Sequence, residues 1–534
     1  MNTLPQSKND TLNEISTPNN AKTRYLAVVH SEARKLKYCV NNKWKESKTN
    51  KYMPVTDSST GELIGEAPCC TKEEVLEAVA AAKAAYPKWR AKAVQQRIAV
   101  MFKLKALMDE HLDALTLSVS KELGKTLDEA RGDVIKAIEV MECACATPYL
   151  MQGDSLMNVS TGHDTVMFRE PLGVFAGIVP FNFPAMIPWG WMIPFCISCG
   201  NTFVLKSASL TPITSMRILE LAIEAGLPEG VVNLVTCSRN EADLLLEHPD
   251  IRGISFVGST SVGKHIYSTA AANGKRVQCL TEAKNHALIM RDAELDLAAQ
   301  RIINSSLGCA GMRCMALPVL CVEECVADEF LSYFTKYAET RKIGCAYDAQ
   351  TDLGPVVSAE HKQFVISWID KAVQEGAKLV LDGRNIKVPG YEKGYFVGPT
   401  IFDKVTEAMT CGQEEVFGPV VFIKRVKDFE DGITLMNSSK YANGSAIFTE
   451  SGHWAREFVY RTDGGMVGVN VGIPVPSSYF PFSGHKNSFF GDLHCMGKDG
   501  VQFYTESKSV TYRWLKGAKK PTKVSTWEGT ISRE

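Results

Sequence analysis

The chemistry this chain could perform is concentrated in the run Gly308-Cys-Ala-Gly-Met-Arg-Cys314. Small residues let a substrate or the backbone approach closely. The thiolate is the nucleophilic form of cysteine, and a fixed cation such as Arg313 beside it lowers its pKa. Cys314 is therefore the candidate for covalent chemistry, although an arbitrary cysteine is more often a buried packing residue.

The remaining thiols give a background against which to weigh it. The chain of 534 residues holds 16 cysteines, scattered through apolar segments without a compact disulfide framework. Cys196-x-x-Cys199 has the spacing of half a zinc or redox motif, but it has no second CxxC and sits among Ile, Phe and Trp, so core packing is expected and no metal site. So many free thiols point to a reducing compartment, the cytoplasm or a mitochondrial matrix. Formal net charge is −1, which gives no general field for nucleic acid or an anionic membrane. No apolar run reaches the roughly 18 residues of a membrane span. Any charged substrate must be met by a few placed residues.

The elements that position these residues are readable from periodicity. Length suggests about three domains. Thr71-Lys-Glu-Glu74 is a capping box before a helical pattern, and further helical patterns run from about Gln95 to Leu123 and from Asp128. From residue 170 short apolar strands alternate with helices: Gly173–Val179, Thr202–Lys206, Val231–Val235 and Ile254–Val257, with helix Thr211–Gly226 between. Gly258-Ser-Thr-Ser opens a further helix. This alternation predicts an α/β fold with a parallel, Rossmann-like sheet of the dinucleotide-binding kind, without a GxGxxG fingerprint. The segments Leu150–Arg169 and Val501–Val510 read as strands outside the alternation, an extra sheet or subunit-bridging arm.

Five motifs occur in order along the chain: Val179-Pro-Phe-Asn-Phe-Pro184, Gly200-Asn-Thr-Phe-Val-Leu-Lys206, Phe256-Val-Gly-Ser259, Gly311-Met-Arg-Cys314 and Glu414-Glu-Val-Phe-Gly-Pro419. Together they resemble the aldehyde dehydrogenase superfamily over roughly residues 38–515. Ala283-Lys-Asn-His286, Arg313-Cys-Met-Ala316 and Val469-Asn-Val-Gly-Ile-Pro-Val-Pro476 are most similar to its CoA-acylating methylmalonate-semialdehyde branch. The resemblance implies an NAD-binding domain over residues 38–149 and 171–282, a catalytic domain over 283–484 and an oligomerisation arm over 150–170 and 498–514. An N-terminal extension, 1–37, and a tail, 515–534, would flank them. It also implies a homodimer or homotetramer.

The resemblance also implies roles. Cys314 would attack an aldehyde carbon, with the Asn182 amide and the Cys314 backbone N–H facing the oxyanion. Pro180, Phe181, Lys206, Gly258, Ser259, Glu415 and Phe417 would contact NAD. Arg313 would bind a substrate carboxylate, as would Arg131, which reads equally well as a helix-surface ion-pair residue.

Two departures bear on specificity. Lys206-Ser-Ala-Ser209 lacks the carboxylate that usually receives the adenine ribose, so NADP is open beside NAD. Leu280-Thr-Glu-Ala-Lys284 puts a leucine where hydrolytic members carry a general base, with Glu282 as a possible displaced base. An acyl thioester would then await a better nucleophile, the thiol of CoA. The resulting expectation is an NAD-dependent, CoA-acylating oxidation of methylmalonate or malonate semialdehyde. A hydrolytic enzyme, one for another anionic aldehyde, and a non-catalytic homologue are the alternatives.

Overall fold

Val174–Ile178 is buried at every position, as a strand covered on both faces must be, and it starts the central sheet. In the computed structural model, which describes residues 35–514, the next two strands, Thr202–Lys206 and Val232–Val235, add in parallel on one side of it. Ile251–Val257 and Arg276–Leu280 add in parallel on the other. The strand order therefore reverses between Val174–Ile178 and Ile251–Val257. In doubly wound sheets the crevice beyond the carboxyl ends of the strands at such a reversal is where ligands bind. Antiparallel strands extend both sides, Tyr38–Val40 followed by Lys43–Lys45 on one and Phe489–Gly491 on the other.

A second sheet of seven strands is built from residues further along the chain. His286–Ile289 lies within it between Val319–Glu323 and Gly444–Phe448, all parallel. The Gly308–Cys314 run lies between His286–Ile289 and Val319–Glu323, at the end of helix Leu295–Leu307. The two segments outside the alternation pair with each other, though the second begins as a short helix, Gly497–Phe503, and not as a strand: Thr505–Arg513 runs antiparallel to His163–Pro171, with Ser155–Ser160 completing a three-stranded sheet.

The Thr71 capping box forms, with Glu74 bonded reciprocally, at the head of helix Lys72–Arg90. The long helical pattern after Gln95 is two helices, Val94–Glu110 and Leu112–Leu123, parted at His111. Buried Met108 and Leu115 are seven residues apart and stay in phase, so periodicity does not betray the break. Helix Leu127–Cys145 has its own capping box, Thr126 with Glu129. All 16 cysteines are free, and Cys196 and Cys199 are packed in the core. No described helix is long and apolar enough to cross a membrane. Of the expected N-terminal extension, residues 1–34 lie outside the described residues, as does the 515–534 tail. Leu36 is buried, and its N–H bonds the Glu66 carbonyl.

Candidate active site

Helix Leu295–Leu307 ends in a turn that runs the wrong way round for ordinary residues. Cys309 and Ala310 take φ of 54° and 50°, followed by Gly311 at 72°. Each non-glycine residue there costs about 1–2 kcal/mol, so outside contacts must hold the turn. Gly311 cannot be replaced, because a Cβ would lie 2.0 Å from the Gly418 carbonyl oxygen. The Glu129 carboxylate accepts the Cys309 N–H at 2.7 Å, and the Asn182 amide donates to the Met312 carbonyl at 3.2 Å.

Beyond the turn, the Cys314 carbonyl accepts two side-chain amides, Asn285 at 2.8 Å and Asn443 at 2.9 Å. Asn285 reaches Ala316 as well and accepts the Gly444 N–H. The backbone around Cys314 is thereby tied to residues flanking strands of the second sheet, and through Met312 to Asn182, just beyond a strand of the first. Asn182 is buried, and its amide oxygen has no hydrogen-bond partner among the described residues.

Cys314 opens into a cavity of about 490 Å³. One wall is apolar: Phe183, Met186, Trp191, Met315, Ile473 and Phe482. Trp191 comes from a π-helical segment, Ile187–Met192, and its ring lies 4.6 Å from that of Phe482. The other wall is one face of helix Leu127–Cys145, with Asp128, Gly132 and Lys136 spaced four apart and Glu129 and Asp133 beside them. Asp133 forms a fully buried pair with Lys125 at 3.1 Å and accepts the Met186 N–H. Lys136 pairs with Glu139 at 3.1 Å.

The crevice at the strand reversal lies on the other side of Asn182. Ser259 stands before helix Thr260–Ala272, and no side chain caps that helix. Its first N–H groups therefore face outward as a ready anion site. Gly258 has no room for a side chain, since a Cβ there would meet the Phe256 ring at 2.5 Å. Lys206 ends the neighbouring strand half-buried, and burial lowers its pKa. Phe181 and Phe417 meet edge to face at 6.0 Å, with His361 2.8 Å from the Phe417 carbonyl oxygen. Phe417 itself takes a φ of 54°. Glu415 accepts the Ala283 N–H at 3.0 Å, and burial, aided by Glu282, pushes it up to about 8. Lys284, pushed down to about 7 by burial, donates to the Cys411 carbonyl at 2.9 Å and also to that of Glu414, pinning this loop. Pro180 stands half-buried at the mouth of the same strand end.

The structure corrects three expectations. Arg313 is not the dominant influence on the Cys314 thiol. Its Nε donates to the other sulfur of the turn, Cys309, at 3.1 Å, and its Nη2 lies 3.3 Å from Glu129. Burial first, and then the charge of Glu415, push Cys314 up to about 12. Arg131 is not in the chamber. It lies roughly opposite the cavity-lining face of its helix and pairs with exposed Asp113 at 2.6 Å, not with its sequence neighbours. Glu282 does not face the chamber either. It accepts the Tyr441 hydroxyl at 3.1 Å, while Leu280 is buried at its strand end. Sequence reasoning missed Glu129, Lys136, Asn285 and Asn443. Glu129 carried a signal in the Thr126-x-x-Glu129 capping box, Asn285 in the Ala283–His286 motif, and Lys136 in the i, i+4, i+8 stripe it shares with Asp128 and Gly132; Asn443 carried none.

A doubly wound sheet with an uncapped helix at its strand reversal, beside a chamber that holds a half-buried thiol, is the arrangement of a nucleotide-dependent oxidoreductase. The sequence matches the Aldehyde dehydrogenase family over residues 44–510, and the chain belongs to that family. It is 46% identical to a malonate-semialdehyde dehydrogenase of Geobacillus kaustophilus, over 90% of this chain and 99% of that one. It superposes on the methylmalonate-semialdehyde dehydrogenase of Oceanimonas doudoroffii with a TM-score of 0.89 and 41% identity, covering 90% and 99% of the two chains. A Sinorhizobium meliloti structure described as a methylmalonate-semialdehyde dehydrogenase complexed with NAD gives the same TM-score and identity over 92% and 100%.

Proposed function

We propose that the chain oxidises malonate or methylmalonate semialdehyde with NAD and transfers the acyl group to CoA, giving acetyl-CoA or propionyl-CoA and carbon dioxide. The observation that carries this reading is the chamber around Cys314. A thiol and a guanidinium on successive residues share it, and a leucine stands where a water-activating base would be needed.

The crevice residues fit a dinucleotide. The uncapped N–H groups after Ser259 and the bare Gly258 suit the pyrophosphate, and Lys206 suits the adenosine ribose. Pro180, Phe181, Glu415 and Phe417 suit the nicotinamide half. When bound, NAD supplies the hydride acceptor. Ser209 brings no carboxylate against a 2′-phosphate, but the similar solved protein was complexed with NAD.

In this reading Cys314 forms an S–C bond to the aldehyde carbon and its proton is released. The second hydrogen of the Asn182 amide and the Cys314 N–H receive the developing oxyanion. Arg313 and Lys136 hold the substrate carboxylate. Loss of the carboxylate β to the thioester breaks a C–C bond, and its electron pair enters an enolate that the thioester stabilises. After protonation of the enolate, the CoA thiol bonds to the acyl carbon and Cys314 departs as thiolate. Glu129 and Asp133 are each committed to other donors, and Glu282 is turned away, so none is placed to activate water.

The exposed apolar residues Leu156, Met157 and Phe168 on the three-stranded sheet, with Trp514 just past its end, support a homo-oligomer bridged by that arm. Free cysteines throughout support a reducing compartment, the cytoplasm.

The test is NADH and acyl-CoA formation with each semialdehyde, with and without CoA. One NADH per active site is expected without CoA, and steady turnover to acyl-CoA with it. Acid formation at full rate without CoA would overturn the reading.

A further inference from the structure

Glu129 ties the backbone of the Cys314 turn to the turn's charged side chain, Arg313, and to the start of its own helix. Its Oε1 accepts the Cys309 N–H at 2.7 Å and lies 3.3 Å from Arg313 Nη2, while its Oε2 accepts the Thr126 N–H at 3.2 Å. Through the last bond it closes the capping box of helix Leu127–Cys145. Through the first it holds a residue forced to a positive φ. Through the second it neutralises the cation expected to meet the substrate carboxylate. Glu129 and Arg313 also line a second, smaller cavity of about 190 Å³ behind the turn, so their pair forms the partition between two spaces.

Two consequences follow from charge and geometry. An arginine with a carboxylate already on it attracts a second carboxylate less than a bare one does, because the substrate must share or displace the first partner. A backbone turn held by one charged acceptor moves when that acceptor is shortened or removed.

Building on the function proposed above, we propose that Glu129 is a positioning residue that clamps the nucleophile turn through the Cys309 amide and, as the built-in counter-ion of Arg313, sets how strongly the chamber prefers anionic over neutral aldehydes. Its role is exerted through Cys309 and Arg313, not by contact with reacting atoms.

The experiment compares kcat/KM for malonate semialdehyde with that for propanal, at saturating NAD and CoA, in the wild type, Glu129→Gln, Arg313→Gln and the double variant. Glu129→Gln keeps one acceptor oxygen and removes the charge. The anionic-to-neutral ratio is expected to rise about tenfold, and this rise is expected to vanish when Arg313 is also changed. Glu129→Asp keeps the charge but draws the acceptor back. It is expected to lower kcat for both aldehydes while leaving their ratio near that of the wild type. An unchanged ratio in Glu129→Gln, or the same rise in the double variant, overturns the proposal. A wild type that shows no preference for the semialdehyde instead overturns the function on which it rests, and the proposal with it.

Discussion

The nucleophile turn divides two surfaces built on opposite principles. On the side proposed for the cofactor, recognition is mainly by fixed backbone, the uncapped N–H groups after Ser259 and the side-chain-free Gly258, with the half-buried Lys206 beside them. On the substrate side, it is by side chains crowded in opposite-charge pairs: Arg313 with Glu129, Lys125 with Asp133, Lys136 with Glu139. Fixed dipoles need no rearrangement when a ligand arrives, whereas paired charges must exchange partners. The first surface is thus suited to a cofactor that recurs every cycle. The second can discriminate, because only a ligand that replaces a pair without net loss is accepted.

The largest effect expected in testing this division comes from Cys314, where both surfaces meet. Cys314→Ala should remove the NADH burst entirely. Cys309→Ser, which changes the other thiol in the same chamber, should cost less than about tenfold. If the two losses were equal, the chemistry would not belong to Cys314 alone. Next comes Asn182, the one side chain reaching the turn from the cofactor side. Asn182→Ala should lower kcat by about 10²–10³ with little change in KM, the loss typical of one oxyanion donor. A rise in KM alone would place Asn182 among the binding groups.

Removing Arg313 tests the substrate side by itself. Arg313→Leu should raise KM for malonate semialdehyde about a hundredfold and for propanal only a few-fold, since a charge-assisted bidentate bond is lost only for the anion. Lys136→Ala should give the same selective change at about three- to fivefold, because its ammonium is already shared with Glu139. Equal losses on both aldehydes would mean that these cations shape the turn instead of reading the carboxylate.

The thiol itself gives a pH test. With Cys314 near 12, its thiolate fraction at neutral pH is minute and grows about tenfold per pH unit. Alkylation by iodoacetamide in the absence of NAD should therefore climb steadily between pH 7 and 9 without a plateau. Removing the Glu415 charge, which pushes the thiol upward, should speed it at any given pH above 8, where Glu415 is largely ionised. A plateau near pH 7 would show a thiol already activated by Arg313, contrary to that arginine's position on Cys309.

These tests turn on residues that differ in how far the sequence discloses them. The cofactor side was legible: Val174–Ile178 is a short apolar run, and the strand-helix alternation after it fixes a parallel sheet even without GxGxxG. Cys314 and Asn182 stood out through ordered motifs. The substrate side was not, because its logic is the orientation of side chains across distant elements. Glu129 lies 180 positions before the Cys309 amide it holds, and Asn443 lies 129 after the Cys314 carbonyl it binds. Nothing in Cys309-Ala310 announces a left-handed turn, since neither residue favours one. Arg313 was placed next to the right thiol in sequence and beside the other thiol in space, because a side chain leaving one end of a reversed turn points back over its start.

Arg131 should show the smallest effect, and it shows how fine the distinction on one helix is. It shares helix Leu127–Cys145 with Glu129 and Lys136, and by type alone it is the strongest carboxylate binder of the three. Helical geometry decides otherwise. The cavity is lined at positions 128, 129, 132, 133 and 136, whereas 131 falls with exposed Ile135 on the outer side. There its guanidinium meets Asp113 in solvent, a pair of the kind that contributes about 0–1 kcal/mol. Arg131→Ala should therefore leave kcat/KM within about twofold for both malonate semialdehyde and propanal and shift the melting temperature by no more than a few degrees. A selective rise of more than about fivefold in KM for the semialdehyde would mean that the helix turns its other face to the substrate. The division between a backbone-built cofactor surface and a charge-paired substrate surface would then have to be redrawn.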